Sequence, residues 1–160
     1  MVGGRNPELY WLPRPPPDWR RRVTSLIANP IEDWSASWAE AVVLAKFRLS
    51  FPSTNALDLA VQHLLSAPLA HADSICRLAF LSSSTTTHLA AGIRIGALRR
   101  GIAVEIYEPS YGQSRQDLAD TQSGLYAFVP TVVLFAFDAV FVAAHAREAK
   151  TIADAKSARR

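Results

Sequence analysis

The chain has 160 residues, of which 49% are hydrophobic and 19% charged. This is the composition of a globular protein and excludes a disordered or a collagen-like chain. The single cysteine, Cys76, excludes a disulfide-stabilised scaffold and a cysteine-based structural zinc site. The formal net charge of +3 comes mainly from the two ends of the chain. No basic run is interleaved with aromatic residues, so the pattern argues against nucleic-acid binding.

The chain start, MVGGRNPELYWLPRPPP, has no apolar segment typical of a signal peptide. A lone cysteine also fits a reducing compartment, so we predict a cytoplasmic protein. Residues 125–144 are apolar enough to be tested as a membrane span. However, Pro130 interrupts this stretch, and Asp138 would cost roughly 2.5–3.5 kcal/mol near the centre of a bilayer. A strand followed by a helix is the better interpretation, and we expect no membrane partner.

The first part of the chain is predicted to be helical behind an extended arm. Five prolines mark residues 1–17 as a Pro-rich arm. Residues 18–70 then contain helical hydrophobic spacing, and the predicted helices run to about residues 28, 48 and 66. Their expected N-caps are Asp18, Ser35 and Thr54.

The pattern changes in residues 75–160, which we predict to be an α/β domain packed with residues 18–70. Short apolar runs predict strands at 76–81, 102–107 and 131–137. Helical patterns cover 88–100 and 139–157, and residues 108–129 are predicted to form a long loop with one helical turn. This alternation is typical of a parallel sheet with flanking helices.

Polar residues follow each predicted strand. The sequence SSSTTT comes after the first strand, EPSYGQSR after the second and Asp138 after the third. In parallel sheets, ligands bind beyond the carboxyl ends of the strands. Three strands are few for such a sheet, so a partner chain, a longer polypeptide or the N-terminal arm could supply more.

Residues 78–138 also resemble a known family. The matching features are a strand entering a Ser/Thr loop, the sequences LRRGIAVEIYE, YGQ and SGLYAFVP, and an apolar strand that ends in Asp138. The opening ELYWLPRPPPDWRRRV is similar as well. In this order and spacing, they resemble the N-terminal domain of FkbH-like proteins of the HAD superfamily, subfamily IIIC.

This resemblance implies a flavodoxin-like or SGNH-like sheet. It also implies a link to glyceryl or acyl transfer onto an acyl carrier protein in polyketide-type biosynthesis. In that family the chemistry belongs mainly to a C-terminal HAD half that begins with a DxDx(T/V) motif. Asp138 mimics the first Asp of this motif, but Val140 occupies the place of the second. We therefore expect no HAD catalysis, no bound metal and no cofactor in this chain.

The candidate site residues lie in the polar segments after the strands. Ser83 matches the serine of the SGNH-like first block and is the candidate nucleophile. A serine hydroxyl needs a base, and the chain has no Asp-x-x-His near its end; His145 precedes Glu148 instead. The candidate ligand-binding residues are Ser82, Ser83, Thr85, Thr86, His88, Gly112, Gln113, Arg115 and Asp138.

Three functions stay open from the sequence. The first is a non-catalytic accessory domain that docks an acyl carrier protein, its acyl group or the HAD half. The second is a small SGNH-type serine esterase that uses Ser83. The third is a structural module that self-associates as a homo-oligomer through its sheet edges.

Overall fold

The computed structural model describes residues 11–67, 75–110 and 112–144. The element order is α1 (Trp19–Ala28), α2 (Trp34–Ala45), α3 (Phe51–Leu65), β1 (Ile75–Ser82), α4 (Thr87–Leu98), β2 (Ala103–Tyr107), α5 (Ser114–Ala119), α6 (Gly124–Phe128) and β3 (Val132–Ala136). Residues 139–144 are helical. Most of the predicted Pro-rich arm and most of the predicted last helix lie outside the described residues.

The three strands form one sheet in the order β2-β1-β3. β1 and β3 pair in parallel, with a register that runs from Leu78 beside Val132 to Ser82 beside Ala136. This is the order of the first three strands of a flavodoxin-like sheet. The predicted α/β fold, with parallel strands, flanking helices and a helical region before them, is confirmed.

The chain divides into two compact units. The first comprises Met1–Cys76 and Thr87–Glu105, and the second comprises Arg77–Thr86 and Ile106–Arg160. The first unit therefore holds α1 to α4, and the second holds α5, α6, β3 and the residues that follow β1.

The first unit has the larger hydrophobic core. Trp19 on α1 is 3% exposed, and its indole Nε1 donates to the carbonyl of Leu44 at 3.0 Å. Trp34 similarly donates to the carbonyl of Leu64 at 2.9 Å. Tryptophan therefore contributes both apolar area and a directed hydrogen bond to this core. Among the described residues of the unit, the largest fully buried side chains are Leu44, Leu57, Val61, Leu64, Ile95 and Leu98.

A buried ion pair joins α3 to α4. The Asp58 side chain is only 6% exposed, and both of its oxygens accept from Arg94, at 2.6 and 2.8 Å. Gln62 donates to Asp58 as well, at 2.7 Å. These donors compensate for the removal of the carboxylate from water.

Two of the predicted helix caps are wrong. Asp33, not Ser35, caps α2, because its side chain accepts from the backbone N–H of Ala36 at 3.0 Å. Ser50, not Thr54, caps α3. Pro52 lies in the first turn of α3, where its missing N–H is not needed.

The second unit has a small buried cluster. Ala79 and Leu81 of β1 are fully buried with Leu125 of α6, and Tyr107 and Phe137 pack against them. The predicted loop at 108–129 instead contains two short helices, α5 and α6. All five residues of β3 are exposed.

A membrane-spanning helix is not found in the described part of the chain, where none is both long and apolar enough to cross a bilayer. The apolar stretch at 125–144 is divided among the end of α6, β3 and a new helical segment.

Candidate functional site

The candidate site lies in the second unit, just beyond the ends of the strands. Ser82 closes β1 and Ser83 follows it, Glu108 follows β2, and Asp138 comes shortly after β3. Since β1 and β3 are parallel neighbours, their carboxyl ends lie side by side. This topology brings together side chains that are more than fifty residues apart in sequence, as the Ser83–Asp138 separation of 55 shows.

Ser83 and Asp138 form a reciprocal pair of hydrogen bonds. The Ser83 hydroxyl donates to Asp138 Oδ2 at 2.8 Å, and the backbone N–H of Asp138 donates to Ser83 Oγ at 3.0 Å. The other carboxylate oxygen, Oδ1, accepts from the backbone N–H of Phe141 at 2.8 Å. Asp138 therefore acts as the N-cap of the helical segment at 139–144.

The same contacts control the protonation of Asp138. Hydrogen bonds from the Phe141 N–H and then from the Ser83 hydroxyl lower the pKa of this carboxyl below its ordinary value. The carboxylate is therefore ionised at neutral pH and is a weak proton acceptor. It orients the Ser83 hydroxyl, but it is poorly suited to remove the hydroxyl proton.

A second group of polar side chains links the ends of β1 and β2. Thr86 is buried, and its hydroxyl donates to Glu108 Oε1 at 2.7 Å. Ser82 Oγ lies 3.4 Å from Thr86 Oγ1, and the Ser82 hydroxyl also donates to the carbonyl of Ser84. The buried Ser114 hydroxyl donates to the carbonyl of Ser82 at 3.2 Å. We call Ser82, Ser83, Thr86, Glu108, Ser114 and Asp138 the strand-end cluster.

Glu108 and Ser114 were not among the predicted site residues. Glu108 has a signal in the sequence, because it directly follows the apolar strand run IAVEIY. Ser114 lies in the predicted polar segment EPSYGQSR, but its contact with Ser82 depends on how the chain turns back into α5.

The other predicted site residues are more scattered. Thr85 is exposed, and His88 is exposed on α4 in the first unit. Gly112, Gln113 and Arg115 are exposed at the start of α5. Gly112 has a φ of +77°, a conformation that glycine adopts readily. Tyr111 and His145 lie outside the described residues.

The described residues contain no group of His, Cys, Asp and Glu side chains arranged to hold a metal ion. Asp138 lacks a second carboxylate two residues on, since Val140 is there and is 80% exposed. The strand-end cluster is therefore an arrangement of hydroxyls and two carboxylates that bond mainly to one another. Chemically it can present hydrogen-bonding groups to a polar ligand.

We expect Ser83 to be unreactive towards fluorophosphonate reagents and ester substrates. Among the described residues of the second unit, the Ser83 hydroxyl donates only to the Asp138 carboxylate. The pKa of this carboxyl is lowered, and a backbone N–H binds its other oxygen, so Asp138 is a poor base for activating Ser83. The measurement is mass-spectrometric detection of the labelled serine. Ser84→Ala is the matched control, because Ser84 is an exposed serine next to Ser83. Labelling that survives in Ser84→Ala and disappears in Ser83→Ala would show a reactive serine.

Tyr107 is the last residue of β2, and Glu108 of the strand-end cluster follows it directly in the sequence. Its hydroxyl donates to Asp117 Oδ2 at 2.6 Å, and its ring stacks on Phe128 with centroids 5.6 Å apart. Gly124 lies against it, so that an added Cβ would be only 2.9 Å from the Tyr107 hydroxyl oxygen. The absence of a side chain at Gly124 therefore permits this contact.

Burial first, and then the hydrogen bond to Asp117, raises the pKa of Tyr107 from 10.0 to about 12. The neutral phenol is favoured in the folded chain, so this contribution to stability is present below pH 10 and is lost as the pH rises through about 12. We expect ultraviolet titration of the phenolate to show one late-titrating tyrosine that is missing in Tyr107→Phe. Asp117→Asn should lower the pKa of Tyr107, because it removes the carboxylate that accepts from the phenol. A late-titrating group that persists in Tyr107→Phe would contradict the assignment.

The first unit contains a separate groove of about 620 Å³ between α1 and α2. Arg22 and Glu40 both line this groove. The Arg22 guanidinium donates to both carboxylate oxygens of Glu40, at 2.6 and 2.9 Å. These two charged groups are already paired, and the rest of the lining mixes apolar side chains, such as Leu26 and Ile31, with polar ones, such as Asn29 and Glu32.

Comparison with known proteins identifies the family of the α/β part of the chain. Residues 77–158, just over half of the chain, match the family model described as FkbH, N-terminal domain. Among curated proteins, none matches the chain. A solved structure is similar at 20% sequence identity and a TM-score of 0.43: the N-terminal part of the protein BF1531 from Bacteroides fragilis, containing a phosphatase domain, in complex with Mg. The similarity covers 56% of this chain and 22% of that one, so the chain spans less than a quarter of the length of this solved relative. On the family match, the chain belongs to the FkbH N-terminal domain family.

Proposed function

We propose that this chain is a non-catalytic binding domain of an FkbH-like protein. It would serve glyceryl or acyl transfer to an acyl carrier protein in polyketide-type biosynthesis, by docking the carrier, its acyl group or the catalytic HAD half. The observation that carries the proposal is the family match over residues 77–158. The family is defined as the N-terminal part of a larger protein, so a supporting role for this part is the natural assignment.

The chemistry of the strand-end cluster supports a binding role over a catalytic one. Its carboxylates are Asp138, which caps a helix, and Glu108, which accepts from the buried Thr86 hydroxyl. A nucleophilic serine would need a base of suitable pKa within hydrogen-bond reach. The described residues of this unit bring Ser83 only the low-pKa Asp138 carboxylate. We therefore do not favour the esterase alternative.

Exposed arginines support docking of an acidic partner. Arg14, Arg20 and Arg21 are all exposed at the start of the first unit, and the Arg21 side chain is 81% exposed. Arg21 is 4.0 Å from Asp18, a distance that leaves most of its charge available to solvent and partners. Such a basic surface accelerates association with an acidic protein and makes binding sensitive to salt.

The test is isothermal titration of the chain with an acyl carrier protein in its apo, phosphopantetheinyl and glyceryl forms, at low and high salt. The C-terminal HAD half of an FkbH-like protein is titrated separately. We expect measurable binding of at least one of these partners. For the carrier, the double variant Arg20→Glu/Arg21→Glu should weaken binding by at least tenfold.

Arg100→Glu is the matched control, because Arg100 is an exposed arginine on a different helix end and its side chain donates to the Gly96 carbonyl at 3.0 Å. It should leave carrier binding nearly unchanged. An absence of affinity for every carrier form and for the HAD half, with a folded chain by circular dichroism, would overturn the proposed function.

A further inference from the structure

α1 and α3 pack side by side in the first unit and leave a long groove between them. A hollow of about 260 Å³ lies where the two helices begin, and Trp19, Arg20 and Ala56 are among the residues that line it. A second hollow of about 560 Å³ lies where they end, with Ile27 and His63 in its lining. We call these two hollows and the surface between them the α1/α3 groove.

Exposed apolar side chains connect the two hollows. On α3, Pro52, Ala56, Leu59 and His63 follow one another at spacings of three and four residues, so they share one face of the helix. Leu59 lies between the hollows on this face and is 61% exposed, and Ile27 of α1 is 43% exposed. The distance along α3 from Pro52 to His63 is about 16 Å, or three helical turns.

The walls of the α1/α3 groove determine which kind of backbone fits. Both walls are α-helices, whose backbone N–H and C=O groups bond within each helix. An extended segment would find no backbone partners there, whereas a helix satisfies its own backbone groups. An amphipathic helix places apolar residues at i, i+4, i+7 and i+11 into such a groove. Three turns of a helix therefore match the length of this groove.

The charges around the groove favour an acidic helix. Arg20 is exposed, and no Asp or Glu among the described residues lines either hollow. Residues 11–28 contain four arginines and a single acidic residue, Asp18, and of these arginines Arg22 bonds to Glu40. The groove between α1 and α2 differs, because three acidic residues line it. An acidic partner is thus attracted to the α1/α3 side of the unit.

The acidic residue on α3 does not offset this charge. Asp58 is buried, and Arg94 donates to both of its oxygens. Its charge is therefore compensated inside the unit and is not presented to a helix in the groove.

We propose that the α1/α3 groove binds an acidic amphipathic helix of the acyl carrier protein. This inference rests on the proposed function and selects the carrier from the three partners named there. Charge attraction accelerates the encounter of two separate proteins, whereas a HAD half on the same polypeptide is already held at a high effective concentration. The acyl group is an uncharged thioester and gives Arg20 nothing to attract.

Leu59→Glu tests the apolar part of the groove. It places a carboxylate between the two hollows, and we expect it to weaken binding of the carrier at least tenfold in isothermal titration. Leu89→Glu is the matched control, because Leu89 is a leucine that is 44% exposed on α4 in the same unit. The two variants change the net charge equally, so the control should bind within twofold of the unchanged chain. Circular dichroism melting shows whether both variants are folded.

Two single arginine variants separate the groove from a general basic surface. Arg20 lines the first hollow, whereas Arg21 is in the lining of neither hollow. We expect Arg20→Glu to weaken carrier binding at least fivefold and Arg21→Glu to weaken it twofold or less. Equal weakening by the two substitutions would place the carrier outside the groove.

Thiol protection locates the carrier directly, in a Cys76→Ser background. The thiol introduced by Leu59→Cys should react with iodoacetamide as fast as the one introduced by Leu89→Cys when the chain is free. A saturating amount of the carrier should slow the reaction of Leu59→Cys at least tenfold and leave that of Leu89→Cys unchanged. A slow reaction of Leu59→Cys in the free chain would overturn the inference, because the chain itself would then cover the groove.

The remaining outcomes distinguish this inference from the proposed function. If the carrier binds and Leu59→Glu weakens it no more than Leu89→Glu does, the groove inference is overturned and the proposed function stands. If no carrier form binds but a HAD half binds and protects the Leu59→Cys thiol, the groove belongs to the HAD half. That result also overturns the inference. An absence of affinity for the carrier and for the HAD half overturns both.

Discussion

Replacing Arg94 with methionine is expected to lower the free energy of unfolding by about 3–5 kcal/mol, the usual cost of breaking a buried ion pair on one side. Arg94 donates to both oxygens of Asp58, whose side chain is 6% exposed. Methionine keeps most of the apolar stem of arginine but removes the charge. Among the described residues, only Gln62 would then donate to the buried carboxylate of Asp58. Urea unfolding followed by circular dichroism measures the loss.

Arg22→Met is the matched control. Arg22 forms a similar two-point contact with Glu40, but these side chains are 29% and 33% exposed, so water compensates for the lost partner. We expect a loss of about 1 kcal/mol or less. In addition, the double variant Asp58→Leu/Arg94→Met should regain much of the stability lost by Arg94→Met, because no buried charge remains. If Arg94→Met and Arg22→Met lost the same amount of unfolding free energy, burial would not be the reason why the Asp58–Arg94 pair matters for stability.

Truncating Leu64 to alanine is expected to cost about 2–5 kcal/mol, the range for buried leucines. Leu64 is completely buried on α3, within the core of the first unit. Its loss removes apolar contacts and leaves a cavity that the surrounding helices can fill only in part. Thermal and urea unfolding both report the change.

Leu59→Ala provides the control on the same helix. Leu59 is 61% exposed, so the same substitution should change stability by only about 0.5 kcal/mol. Helix propensity changes equally in both variants, and the difference between them isolates burial. If Leu59→Ala were as destabilising as Leu64→Ala, Leu59 would have to be covered in solution, for example by a partner.

Most elements of the fold could be predicted from the sequence, because their signals are local. Leu57, Val61 and Leu64 recur at helical spacing, and all three are buried on α3. The short apolar runs around Leu78, Val104 and Leu134 each form a strand. The caps of α2 and α3 were misplaced because several polar residues precede each helix, and only the backbone geometry selects Asp33 and Ser50.

The location of the candidate site could be predicted from the sequence, but the contacts within it could not. The rule that ligands bind beyond the ends of parallel strands indicated the segments that contain Ser83 and Asp138. It could not show that these two residues bond to each other, that Asp138 caps the next helix, or that Thr86 bonds to Glu108. Those contacts depend on strand register and on the turn into α5, neither of which is encoded in local spacing.

The class of the protein could be predicted from its sequence: a helical first part, an α/β second part and a resemblance to the FkbH N-terminal domain. These follow from periodicity and from the order of short motifs, which are properties of neighbouring residues. Three further features were found only in the folded chain: Asp58 is buried against Arg94, Ser83 has a carboxylate of lowered pKa as its partner, and β3 is exposed. Burial, pairing and exposure are relations between residues that are distant in the chain, so they exist only once the elements are packed.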